Sequence, residues 1–305
     1  MRNTIDCYVL AGLVLLGGCT PKKGAESVVD VIAYTQEIDA WHHDRIENLR
    51  GPNGWLNVAG LYWLKEGISS FGSGPENDLD FPSGKIAEKA GFLMLKQGVV
   101  SASITQGVAV TSGGKLFTQG IIFHPDSLLN PSLESGSLKW FIIKRDTKYG
   151  VRLRDFENPE LIFFAGVERF PVNPLMRPIA RWDAAQTGRT IMVTNILGQT
   201  TPQQSPGALL FVLGAEEFRL DVLDEGGDEY FIIFGDDTNT KETYGAGRYV
   251  YVKKPDASGQ TIIDFNKAYN PPCAFTAFAT CPLPPKQNVL PISILAGEKN
   301  YENHE

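Results

Sequence analysis

Glycine and proline interrupt this chain so often that long helices have little room: 31 Gly and 19 Pro are spread over 305 residues. Between them stand short runs rich in Val, Ile, Phe and Tyr. Branched and aromatic side chains fit a pleated surface, and Gly and Pro serve the turns between strands. The pattern predicts a mainly β fold of antiparallel sheets, in a sandwich or barrel-like arrangement, with strands over 92–111, 115–123, 138–144, 189–197, 207–213, 217–222 and 230–234. One stretch breaks the rule. From residue 27 to 50, Val28, Val31, Ile32, Thr35, Ile38, Ile46 and Leu49 recur at helical spacing, with Ser27 placed to cap the start and Gly51-Pro52 to end it. Residues 54–64 (GWLNVAGLYWL) read as an aromatic strand that Gly60 bends or bulges, its two Trp serving the core or a sugar-stacking surface.

A chain that is 43% hydrophobic and 21% charged can bury one large core or two smaller ones. The Pro-rich segment 170–178 suggests a division into a helix plus N-terminal β sub-domain over 27–165 and a C-terminal β sub-domain over 166–305. The net charge of -7 argues against nucleic acid and makes an anionic partner unexpected.

The first residues predict a compartment. Arg2, an apolar run from 8 to 16, and Leu16-Gly17-Gly18-Cys19 read as a lipoprotein-type signal peptide over 1–18, with lipid on Cys19 and a tether over 19–26. Thr20 follows the cysteine where an inner-membrane retention signal would carry Asp, so the expected setting is the outer membrane, facing the periplasm. Cys7 leaves with the signal. Cys273 and Cys281 remain, as a disulfide favoured by an oxidising compartment, as buried thiols or as half a metal site; no nearby His supports the last.

Unusual polar residues gather at 236–248 and 264–273, before the Cys-Pro corner at 281–285. The candidates are Asp236, Thr238, Glu242, Tyr244, Arg248, Asp264, Asn266, Tyr269 and Asn270. Buried polar groups need partners, so they form a structural network, a ligand pocket or a catalytic centre. The spacing is not that of an EF-hand, and no metal or cofactor is expected. Upstream, YGVRLRDF alternates, placing Val151, Leu153 and Asp155 on one strand face and Arg152 and Arg154 on the other. Asp155 on the apolar face needs a partner, whereas solvent suffices for the two arginines. The leading expectation is a ligand-binding or accessory protein of the envelope, its protein partners unknown. The alternative is a hydrolase with a carboxylate pair, Arg152 or Arg248 holding an anionic substrate group.

FGDDTNTKETYGAGRY, IDFNKAYNPPCAF, TCPLPPKQN and AGEK resemble the family catalogued as domain of unknown function 1684, and GWLNVAGLYWL, FGSGPEND and VRLRDF match its earlier blocks. The resemblance spans about residues 40–300 and implies a fold and a lipoprotein or soluble setting, but no chemistry. Members without signal peptides keep the paired cysteines, so the resemblance leaves their redox state open. Thr240 stands where the family more often has a turn Gly; Asn239 is the residue expected to take the left-handed conformation there.

Overall fold

The computed structural model describes residues 30–128 and 130–301. The expected signal peptide, lipidated Cys19, tether and Ser27 cap lie outside the described residues. Within them the protein is mainly β, with antiparallel sheets, one parallel strand pair (Gly67–Gly72 with Leu79–Asp80) and an N-terminal helix. No sheet among the described residues closes into a barrel.

The helix runs Val31–Arg50 and is capped by Asp30, whose carboxylate accepts from the amides of Ile32 (3.0 Å) and Ala33 (3.2 Å). Gly51 ends it as expected, its amide bonding the Glu47 carbonyl. The buried stripe differs from the apolar spacing. Val31 and Ile32 are exposed, while Tyr34, Ile38 and Leu49 face inward, with Arg45 half-buried on the same side. The face is set by what it meets: Tyr34 donates to Asp264 at 2.7 Å, and Arg45 reaches the C-terminal segment. Its buried positions carry polar tips that a purely apolar periodicity misses.

The N-terminal half is a two-sheet sandwich. Its five-stranded sheet turns Leu93, Leu95, Val100 and Ala102 inward, and its six-stranded sheet answers with Leu138, Trp140, Ile142, Val151 and Leu153. Strand Val58–Trp63 pairs with Lys148–Asp155, and the register shifts between Val58 and Gly60, the expected bulge. A side chain at position 60 would run into the Tyr62 ring, 2.6 Å from the nearest atom.

In the C-terminal half, a second core lies between the sheet Ile179–Ala184/Gly207–Leu213/Glu216–Asp221 and one face of the hairpin Glu229–Phe234/Arg248–Lys253. That hairpin is apolar on both faces. Tyr230, Ile232, Val250 and Val252 enter this core, while Phe231, Ile233 and Tyr249 pack with Ile191, Val193 and Leu223 on the other side. A smaller cluster of Leu49, Leu56, Phe164, Phe275 and Tyr301 ties the helix end and the aromatic strand to the C-terminal segment.

Candidate functional site

The polar residues of 236–248 and 264–273 do fold back on partners, as three networks of which the first and third meet at Glu298. In the first, Arg248 and Asp236 form an ion pair at 2.8 Å, both side chains fully buried. Arg248 also donates to the carbonyls of Ile294, Ala296 and Glu298. Asp236 accepts from the Thr238 amide and hydroxyl and from the Ile294 amide. Four donors meet this carboxylate and its side chain is fully buried, so Asp236 presents no open face to a substrate. Burial pulls the Arg248 guanidinium below its usual range, and Asp236 opposes that pull.

In the second network, Asp264 accepts from Tyr34 and from the Asn266 amide, and the Arg177 guanidinium stands 3.5 Å away as an ion-pair partner. Asn266 donates to Tyr34 and to the Asn173 carbonyl. In the third, Glu298 is fully buried, pairs with Arg45 at 3.2 Å and accepts from the Asn270 amide at 2.7 Å. Burial raises the Glu298 carboxyl above its usual range, with Arg45 acting against it. Glu242 is exposed, and Tyr244 packs half-buried beside the Phe275 cluster. Asp155 sits on the sandwich-core face with Lys85 3.6 Å away and the Glu157 amide bonded to it.

A cleft of about 700 Å³ opens elsewhere, between the outer face of the six-stranded sheet and the second face of the C-terminal hairpin. Of the candidates named from sequence, Arg152 and Tyr269 line it. Its floor is aromatic: Phe231 and Tyr249 meet edge to face at 4.9 Å, and Tyr249 meets Tyr269 in the same way at 5.8 Å. Tyr251 donates to Glu225 at 2.9 Å, and burial together with that carboxylate pushes its phenol up to about 12. One wall is the Cys-Pro corner. Cys273 and Cys281 are disulfide-bonded, and the corner is stitched to hairpin Thr190–Thr194/Thr200–Gln204 through Ile196 to Cys281 and Leu283 to Thr194 backbone bonds.

Arg152 is the unusual member. The alternation is as read, since Val151 and Leu153 face the sandwich core, but Arg152 is not solvated. It is 4% exposed, its guanidinium lies 5.4 Å from the centre of the Trp55 ring, and its Nε has no hydrogen-bond partner. No carboxylate pairs with it among the described residues. Burial, with repulsion from Arg145 and Arg154, pulls it down to about 10. Arg154, by contrast, is bonded to Asn57 and to the carbonyls of Asn53 and Gly54. Such a group destabilises the fold until something anionic meets it. Another arginine at the cleft, Arg45, lies 4.7 Å over the Tyr269 ring but is already matched by Glu298.

Residues 163–299 match the family described as "Protein of unknown function (DUF1684)". The match over residues 163–299 supports membership of that family. The DUF1684 match takes in the cleft wall from Val193 to Pro282, while Arg45, Trp55, Arg145 and Arg152 precede it. An uncharacterized protein of Haloarcula marismortui, solved by solution NMR, is similar at 28% identity and a TM-score of 0.40, covering 48% of this chain and 82% of that one. No curated protein matches.

Sequence reading missed Trp55 as a cleft residue, and it missed Arg45, Arg145, Phe231, Tyr249 and Tyr251 altogether. The signal for the last two was the alternation in RYVYVK, which puts Tyr249 and Tyr251 on one face; both faces being apolar, it could not say which one was open. No group of three metal-ligating side chains lies together among the described residues.

Proposed function

We propose that this DUF1684 member is an envelope lipoprotein that binds a small anionic molecule with a flat or apolar body in the Arg152 cleft. The observation that carries the reading is the buried Arg152 guanidinium, stacked on Trp55 and left without a counter-charge beside an aromatic floor. Ligand sites commonly combine apolar walls with a few convergent polar groups in a volume of roughly 300–1,000 Å³. Asn195, Gln199 and Thr201 at the cleft supply hydrogen-bonding groups for orientation. A hydrolase working through a carboxylate pair gains no support, because Asp236 is closed by its own bonds and Glu225 is the one acidic residue lining the cleft.

Titrating the purified protein with phenyl sulfate, followed by Tyr/Trp fluorescence, tests the binding reading. Saturable binding is expected, weakened by at least about tenfold in Arg152→Gln, the loss of one charge-assisted contact. Identical curves for the two proteins would refute it. The anchor rests on the sequence of residues 1–19 alone. Radiolabelled palmitate should enter the wild-type chain in a Gram-negative host and fail to enter Cys19→Ser; equal labelling would remove the lipoprotein reading.

A further inference from the structure

Arg152 has a second cation beside it. Residues directly opposite on an antiparallel ladder share a face, so the pairings of Phe141 with Arg152 and of Arg145 with Lys148 put Arg145 on the same side of the sheet as Arg152. The two arginines line one cleft. Other cations of this face are accounted for: Lys139 pairs with Glu134 at 2.9 Å, and Arg154 is held by Asn57 and two carbonyls. Lys148 is exposed and does not line the cleft. Arg145 is ion-paired with no carboxylate among the described residues, its bond running to the carbonyl of Lys144 at 3.2 Å. On the acidic side, Glu298 is matched to Arg45, and Glu225 accepts from Tyr251. Setting aside the paired Arg45, two guanidinium groups therefore face the cleft against one rim carboxylate. The two like charges repel, and among the described residues neither is ion-paired with a carboxylate.

Resting on the anion-pocket reading, we propose that the ligand's head is a phosphate monoester, met by Arg152 from the sheet wall and Arg145 from the rim, with its body on the Tyr249, Tyr251 and Tyr269 rings. A phosphate monoester carries a charge of about -1.5 to -2 near neutral pH and presents three acceptor oxygens. Two guanidinium forks approaching from different sides can share those oxygens, whereas one planar carboxylate is filled by a single fork. The chain's net charge of -7 bears on long-range attraction of polyanions, not on a head group that reaches two local arginines.

The test is isothermal titration of the full purified chain with phenyl phosphate and phenyl sulfate at about pH 7.5, where two heads of one shape carry about two charges and one. Wild-type protein should bind the phosphate about tenfold more tightly, the effect of one additional screened charge contact. Arg145→Gln should bring the phosphate-to-sulfate ratio close to one, and Arg152→Gln should weaken both ligands. Equal wild-type affinities that both fall in Arg152→Gln would overturn the phosphate assignment and keep the anion pocket. A phosphate preference that survives Arg145→Gln would overturn the two-arginine head site. Failure of both ligands to bind wild-type protein would overturn the proposal and the pocket together.

Discussion

Arg152 and Arg248 look alike in the sequence, each at an alternating position of a short strand. Their difference comes from residues far along the chain: Arg248 meets Asp236 and three carbonyls of the C-terminal segment, while Arg152 lies against the face of Trp55 with no carboxylate paired to it among the described residues. Local patterning placed Arg152 on the correct strand face and could not supply the partner count. A third buried charge shows what a fully matched group does. Burial pushes the Asp221 carboxyl up, but Arg189, Gln287 and Arg219 together pull harder and leave it below the usual range. Its folded pKa is therefore below its unfolded value near 3.9, so the stabilisation is present above about pH 4 and is lost as pH falls through the folded pKa. Asp221→Asn is expected to lower unfolding free energy by about 2 kcal/mol at pH 7, with the gap to wild type narrowing below about pH 4. Urea titrations of both proteins across that window check this; a gap independent of pH would mean the charge is not what matters.

Among the elements, regular strands were the most legible. Val99–Ile104 and Gly207–Leu213 fall inside the expected runs, and Gly91–Lys96 and Leu138–Arg145 overrun theirs by one residue, because one face of each is buried and turns bracket them. The C-terminal hairpin was legible as strands but not as a two-sided element, since its outward face is covered by aromatics rather than by water. The turn at 239–240 gives a sharper correction. Asn239 was the expected left-handed residue, yet Thr240 takes it, with φ of 68°, while the Asn239 side chain is engaged by the Asp236 amide, the Thr243 hydroxyl and the Tyr244 carbonyl. A β-branched residue is strained there. Thr240→Gly is expected to raise the unfolding free energy by about 1 kcal/mol in chemical denaturation. A loss of stability would show that Thr240 contributes contacts outweighing its backbone strain.

At the scale of the whole molecule, the two β cores, centred on Trp140 and on Phe234, are bridged by the Leu49–Phe275–Tyr301 cluster, and the cleft forms where their outer faces meet. We propose residues 27–165 and 166–305 as its two sub-domains. A cleft between the outer faces of two cores draws its lining from distant parts of the chain, which is why a search for one dense polar stretch found structural networks instead. The acidic net charge was similarly blind to two arginines gathered on one sheet face. If Arg152 is held for a ligand, the empty protein carries a buried charge at the expense of stability, as functional sites commonly do. The most direct measurement is the unfolding free energy of ligand-free Arg152→Met against wild type, since Met keeps the packing stem and removes the charge. A gain of about 1 kcal/mol or more is expected. A loss of similar size would mean that Arg152 holds the fold together, and would contradict its assignment as a receptor for an anion.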